Sequence, residues 1–294
     1  VTYLEDEIFS QPVAWQTAID RVAAGAYAKA LPRPGERVAV IGCGSSLNVA
    51  RGYARLREEA GHGLTDAYPA SELTTTRTYD RMVFISRTGT TSEVLEALRA
   101  APEGVATTSI TADPGAPLAR ETDHAVLLDY ASERSVVSSQ FITTAIVVIR
   151  AHLGADLAAL PASAAAALAR PLPGGLADRA EFTFLGAGWA AFVADEAALK
   201  LREASRSWAE SYPALEFRHG PISVSDASTV VWGIGDIPES LAQDSARTGA
   251  LVITGAGDPL VALTGAQRLA VALAARKGIN PDHPRALSRS VILA

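Results

Sequence analysis

The sequence predicts an α/β fold made of two similar halves, each a mostly parallel sheet covered by helices. Three observations predict it. Short apolar runs of buried-strand type end in glycine turns and open into helices, at Val38-Ala39-Val40-Ile41 before G-C-G-S-S and at Phe182-Thr183-Phe184-Leu185 before a G-x-G turn. Aligning Gly42 and Gly44 with Gly186 and Gly188 brings R-L-R-E at 55–58 within one residue of K-L-R-E at 200–203, the mark of an internal duplication. Between the halves, residues 155–180 are rich in Ala, Leu, Pro and Gly, with the boundary at Pro171, Pro173, Gly174 and Gly175.

Taken in order, residues 3–30 carry apolar side chains at helical spacing, and Pro12 is expected to interrupt them after Ser10, giving one or two helices. Pro32, Pro34 and Gly35 turn the chain into the first strand. A helix over 47–60 follows, closed by Gly61-His62-Gly63. A second strand, Met82-Val83-Phe84-Ile85, ends in S-R-T-G-T-T and opens into a helix from Ser92 to Arg99. Apolar runs at 106–110 and 125–128 continue the alternation, and a long helix starts after Ser138. The second half supplies strands at 182–185, 230–234 and 250–254 and a last helix over 262–277. The expected division is an N-terminal helical segment over 1–30, a first domain over 31–170 and a second over 171–294.

Composition narrows the partners. With 48% apolar residues, the chain buries a real core. A formal charge of −6 and the lack of any Lys/Arg run argue against nucleic acid and for a small-molecule or protein partner. A single cysteine, Cys43, rules out an intramolecular disulfide or a cysteine metal cluster and fits a reducing compartment. No run approaches the roughly 18 apolar residues of a membrane span, and the N-terminus is acidic where a signal peptide is basic. A cytoplasmic protein without membrane, metal or cofactor is expected.

The chemistry concentrates in a few motifs. S-R-T-G-T-T lies between a strand and a helix, where free N–H groups and the helix dipole favour a phosphate and short hydroxyls add donors. Ser86, Thr88 and Thr91 are its candidate ligands; helix capping is the competing explanation. Ser45 and Ser46, at the preceding strand end, would face the same crevice, the usual ligand site of an open α/β sheet. The corresponding place in the second half reads G-I-G-D-I-P, with an acid and a proline, so only the first half should bind an anion. Leu47 stands at the third glycine position of a dinucleotide fingerprint, and S-R-T-G-T-T lacks the G-K-[ST] of a P-loop. In the second half Glu196, Lys200 and Glu203 fall at i, i+4 and i+7 and share a helix face. A solvated ion-pair face is the alternative, but the neighbours are mostly Ala, Leu and Val, where a carboxylate has a raised pKa suited to proton transfer. His219, in the loop R-H-G-P, is the matching imidazole. His62, His124, His152 and His283 are read as structural.

I-G-C-G-S-S, I-S-R-T-G-T-T-S-E, S-V-V-S-S-Q-F-I-T and A-L-K-L-R-E…E-F-R-H-G-P together resemble the sugar isomerase (SIS) domain family. The likeness is strongest to members with two flavodoxin-like SIS domains in tandem, such as the isomerase part of glucosamine-6-phosphate synthase. The resemblance implies that Ser45, Ser46, Ser86, Thr88 and Thr91 hold a sugar phosphate, with Ser138 nearby. It implies that Glu203 moves protons between C1 and C2, that Lys200 belongs to the same site, and that His219 assists ring opening from the partner subunit of a homodimer. Two departures matter. Arg87 replaces the usual glutamine of the phosphate loop and could add a charge to it. Arg289 stands where the synthase has a Schiff-base lysine; guanidinium is no practical nucleophile, so that covalent step should be absent. No glutaminase segment is present, which argues against a glutamine-dependent amidotransferase. The expectation is an isomerase or deaminase of an amino-sugar 6-phosphate of the glucosamine or N-acetylglucosamine type. Dehydration at C3 of an N-acetylated substrate comes second. A non-catalytic phosphosugar sensor comes third, since no segment remains for a DNA-binding domain and a sensor needs neither Glu203 nor His219.

Overall fold

The computed structural model describes residues 2–74, 76–255 and 257–293. Its elements begin with helix α1 (Tyr3–Ala23), strand β1 (Val38–Gly42), α2 (Ser45–Glu59), β2 (Thr65–Pro69), β3 (Arg81–Ile85), α3 (Ser92–Arg99), β4 (Ala106–Thr111), α4 (Pro117–Glu121) and β5 (His124–Leu127). They continue with α5 (Gln140–His152), α6 (Leu160–Ala169), β6 (Glu181–Gly186), α7 (Ala190–Ser205), β7 (Trp208–Pro213), β8 (Thr229–Ile234), α8 (Glu239–Arg247), β9 (Leu251–Ile253) and α9 (Pro259–Arg276). Contacts divide the chain into two bodies, one of residues 10–133, 138–161 and 288–294, the other of residues 1–9, 134–137 and 162–287. The division differs from the linear one expected from sequence: α1 contributes to both bodies, and the last residues of the chain belong with the first sheet.

In the first body five parallel strands run in the order β2-β1-β3-β4-β5. All residues of β1 and β3 are buried, as expected for central strands covered on both faces. Ala39, Ile41, Met82 and Phe84 point to one face, where they meet Val94 and Leu98 of α3 and Leu118 of α4. Burying each large side chain of this set stabilises the body by about 1.5–3 kcal/mol. Every residue of α5 from Gln140 to Ile149 is buried, so it is a core helix rather than an amphipathic one. It packs on α2, and the Trp15 indole donates to Thr143 Oγ1 at 3.0 Å. The expected interruption at Pro12 does not occur. Leu4, Ile8, Trp15 and Ala18 form a buried stripe along α1, whose burial outweighs the roughly 3 kcal/mol cost of an internal proline.

The second body has four parallel strands in the order β7-β6-β8-β9, repeating the order of the first four of the other sheet. Leu185, Val231, Phe217 and Leu241 form a core cluster, and α7 packs on β6 and against α9. Each sheet has a turn of the same kind. A Cβ on Gly42 would lie 2.7 Å from the Ser46 backbone, and one on Gly186 would lie 2.2 Å from the Ala190 carbonyl oxygen. Only glycine lets each helix start that close to its strand. Among the described residues no helix is long and apolar enough to cross a membrane.

Candidate functional site

In the first body β1 and β3 lie side by side with Gly42 opposite Ile85, so the turns that follow them share one sheet edge. The chain leaves β1 toward β2 on one side and returns to β3 on the other, and this switch point is where open α/β sheets form a ligand crevice. Ser45 and Ser46 are the first two residues of α2. Ser86 Oγ lies 3.2 Å from Thr91 Oγ1 and accepts from the Gly89 amide at 3.2 Å, which folds S-R-T-G-T-T back on itself before α3. Gly89 has φ +62°, and a Cβ there would lie 2.5 Å from that of Ala116. The hydroxyls of Thr88 and Thr90 are 3.0 Å apart.

Arg87 does not project from this turn as a free charge. It is buried, and its Nη1 lies 3.0 Å from Glu133 Oε2. Glu133 itself is 1% exposed. Its Oε1 accepts from the amides of Ser139, Gln140 and Phe141 at 2.6, 2.5 and 3.2 Å, and its Oε2 accepts from Ser138 Oγ at 2.9 Å. The carboxylate thus fills the N-terminus of α5, where free amides and the helix dipole favour a negative charge. Burial alone would raise its pKa, but Arg87 and the Ser139 amide hold it below the usual carboxylate range. Ser138 is therefore engaged by Glu133. Arg289 donates through Nη2 to the Glu133 carbonyl and accepts on its own carbonyl from Arg87 Nη2 at 3.4 Å, so the C-terminal segment reaches this turn as well.

In the second body the i, i+4, i+7 set of α7 meets as the spacing requires. Lys200 Nζ is 3.1 Å from Glu196 Oε1 and 2.6 Å from Glu203 Oε2. Lys200 and Glu196 are buried, whereas the Glu203 side chain is 20% exposed. Burial acts to lower the Lys200 pKa, but the two carboxylates outweigh it and raise the value, so the ammonium stays protonated. Lys200 fixes Glu203 rather than acting as a base. Glu203 opens into a pocket of about 310 Å³ whose other lining residues are Arg202, Arg206, Arg285 and Leu287. Two non-glycine residues have positive φ among those described, Arg206 at 52° and Ala286 at 61°. One belongs to the pocket and the other lies between two of its members, and strain of this kind collects at functional sites.

His219 does not line this pocket. It follows a 3₁₀ turn over Ala214–Arg218, is exposed, and has its amide on the Glu216 carbonyl at 2.9 Å. The preceding Arg218 is held by Asp244 and Ser240 at 2.8 and 2.9 Å.

Sequence reasoning passed over Glu133, Ser290, Arg202, Arg206 and Arg285. An acid followed five residues later by S-S at a helix start was the available signal for Glu133. No group of three or more His, Cys, Asp or Glu residues able to hold a metal ion occurs among the described residues.

Residues 33–151 match the family model for the SIS domain. The glutamine–fructose-6-phosphate aminotransferases of Photorhabdus laumondii and Vibrio cholerae are 30% and 31% identical to the chain, each match covering 78% of it and 44% of the relative. The chain spans about half the length of the curated relatives it matches. Among solved structures, glucosamine-6-phosphate deaminase from Thermotoga maritima superposes with a TM-score of 0.83 at 25% identity over 99% of this chain and all of that one. Tagatose-6-phosphate ketose/aldose isomerase from Escherichia coli has the same fold, with a TM-score of 0.80 at 20% identity over 100% and 96% of the two chains. The chain thus matches the SIS domain model over residues 33–151, is similar in sequence to isomerizing aminotransferases and in structure to a glucosamine-6-phosphate deaminase, and shares the fold of a ketose/aldose isomerase.

Proposed function

We propose that the protein is a phosphosugar-converting enzyme that acts on an amino-sugar 6-phosphate by removing the C2 proton, as an aldose-ketose isomerase or deaminase. The observation that carries this reading is Glu203, a part-exposed carboxylate fixed by a buried Lys200 at 2.6 Å in a pocket lined by three arginines. In this reading the S-R-T-G-T-T turn, with Ser45 and Ser46, holds the phosphate. Glu203 takes the C2 proton of the open-chain amino aldose, and the electron pair moves onto the C1 oxygen to form an enolate that keeps the C2 nitrogen. Arg202, Arg206 and Arg285 stabilise the oxygen charge as it develops. Return of the proton at C1 gives the C2 imine, and in the deaminase case water adds at C2 and the C–N bond breaks to release ammonia and leave the ketose. The names of the relatives, which include a glucosamine-6-phosphate deaminase and a ketose/aldose isomerase, support the substrate class.

His219 is exposed in its own chain, which suits a role in opening the sugar ring across a homodimer. The repeated strand order and the like glycine turns support a second SIS domain that begins at 171 and ends before the C-terminal segment 288–294, after a first over 31–170 and a helical segment over 1–30. A cytoplasmic site of action fits a lone free Cys43.

A second reading is favoured by Arg289, which offers no amine for a covalent imine and donates to the Glu133 carbonyl. On an N-acetylated substrate the C1 enolate can re-form its C1 carbonyl while the C2=C3 double bond forms and the C3–O bond breaks, so that the C3 hydroxyl leaves as water after protonation. The test is to incubate the protein with the 6-phosphates of glucosamine, N-acetylglucosamine, N-acetylgalactosamine, glucose and fructose and to identify products by NMR. A ketose or released ammonia supports the first reading and an unsaturated sugar the second. Saturable binding without turnover of any of them would show a sensor and reject both.

A further inference from the structure

This inference rests on the reading that S-R-T-G-T-T holds the phosphate. The C-terminal segment is laid directly on that turn. Ser290 Oγ is 3.0 Å from Thr90 Oγ1 and 3.3 Å from Thr88 Oγ1, and the two threonine hydroxyls are 3.0 Å apart. The three hydroxyls close a triangle. Thr88 and Thr90 direct their single protons inside the triangle, and Ser290 Oγ accepts from both. A phosphate monoester, with several acceptor oxygens, would let all three turn toward it as donors.

The segment is fastened on both sides. Toward α3, the Ser92 amide donates to the Val291 carbonyl at 3.1 Å and the Leu293 amide to Ser92 Oγ at 3.0 Å. Toward α5, the Arg87 guanidinium bridges the Glu133 carboxylate at 3.0 Å and the Arg289 carbonyl at 3.4 Å, while Arg289 returns a bond to the Glu133 carbonyl. Ser288 Oγ donates to the Ser290 carbonyl at 2.7 Å and sets the local bend. Arg87 is thus neutralised by a carboxylate that is itself anchored on three helix amides. Its place in the loop serves geometry rather than added charge.

We propose that Ser290 is a phosphate ligand of this site, and that Arg87 and Glu133 are positioning residues that hold the C-terminal segment so that its hydroxyl joins those of Thr88 and Thr90. The ligand class is a phosphate monoester dianion, bound by neutral hydroxyls and backbone amides.

The test uses the full chain and inorganic phosphate as probe, with binding read by calorimetry and amide hydrogen exchange followed over residues 288–293. A hydrogen bond to a charged oxygen accounts for roughly a tenfold or greater change in Kd. Thr88→Val and Ser290→Ala should each weaken phosphate binding about tenfold on that scale, and Ser290→Thr should retain it. Arg87→Gln should speed exchange over 288–293 and weaken binding, and adding Ser290→Ala to it should weaken binding no further than Ser290→Ala alone. Phosphate bound as tightly or more tightly by Ser290→Ala, with Thr88→Val still weakened, would show that the segment merely packs on or blocks the turn, and the proposal fails. If Thr88→Val also leaves binding unchanged, the phosphate reading of the turn fails as well. Glu133→Gln is a supplementary variant; should it not fold, Arg87→Gln and the two Ser290 variants decide the matter.

Discussion

Replacing Lys200 with Met removes the positive centre of α7 while roughly keeping its volume. Two carboxylates, 3.1 and 2.6 Å from the lost ammonium, are left with no counter-charge on that side. Breaking one partner out of a buried ion pair costs about 3–5 kcal/mol, because the remaining charge stays desolvated. An exposed pair costs at most about 1 kcal/mol. With Lys200 and Glu196 both buried, the first figure applies, and it is a large part of a typical stability of about 5–15 kcal/mol. Urea unfolding of Lys200→Met at pH 7 should show that loss. Glu196→Gln in the same chain should restore part of it, with a coupling energy of about 1–3 kcal/mol. The raised Lys200 pKa fixes the pH dependence. Its contribution is fully present below the unfolded value of about 10.4 and disappears as pH rises through the folded value, so the wild type should lose more stability in alkali than the variant. A loss below about 1 kcal/mol with no alkaline difference would refute the buried clamp and return the helix face to solvent.

Other outcomes follow from the same structure. Glu203→Gln should lower kcat by roughly 10²–10⁴-fold, the usual worth of a general base, and should destabilise less than Lys200→Met because Glu196 still pairs with the buried ammonium. Gly186→Ala should lower Tm and destabilise by about 1–3 kcal/mol or more, since the new methyl meets the Ala190 carbonyl at 2.2 Å. Glu133 has a lowered pKa, so its contribution is present above the unfolded carboxylate value of about 4.3 and is lost as pH falls through the folded value. Glu133→Gln should flatten that acid limb in urea titrations between pH 3 and 7. Arg206→Gly should relieve the left-handed backbone and stabilise by up to about 1 kcal/mol while reducing kcat/KM, a trade that unfolding and steady-state assays would read side by side.

Buried strands and helix spacing were legible because they leave local patterns. The run at Val38 is apolar throughout and that at Phe182 is broken only by Thr183, and the 196, 200, 203 spacing alone brings Lys200 onto two carboxylates. Edge elements leave weaker marks. β2 (T-D-A-Y-P) and β7 (W-A-E-S-Y-P) each bury one residue fully and carry no apolar run. α8 is equally spare, with Leu241 and Ser245 as its buried residues. Pro12 misled because tertiary burial of the α1 stripe overrides a local rule. The role of Arg87 was hidden for another reason: its partner Glu133 is distant in sequence, and nothing local distinguishes a guanidinium offered to phosphate from one held by a buried carboxylate. R-A-L-S-R-S-V has no periodicity, so its return to the S-R-T-G-T-T turn depends on contacts that no pattern reports.

In the proposed reaction Glu203 transfers the C2 proton. The most direct measurement of that transfer is the incorporation of deuterium at C2 of N-acetylglucosamine 6-phosphate and glucosamine 6-phosphate in deuterated water, read by NMR for the wild type and for Glu203→Gln. The wild type should exchange the C2 proton of at least one of the two, and the variant should do so at least about 10²-fold more slowly. Equal exchange by both proteins, or turnover with the C2 proton retained, would contradict this role of Glu203.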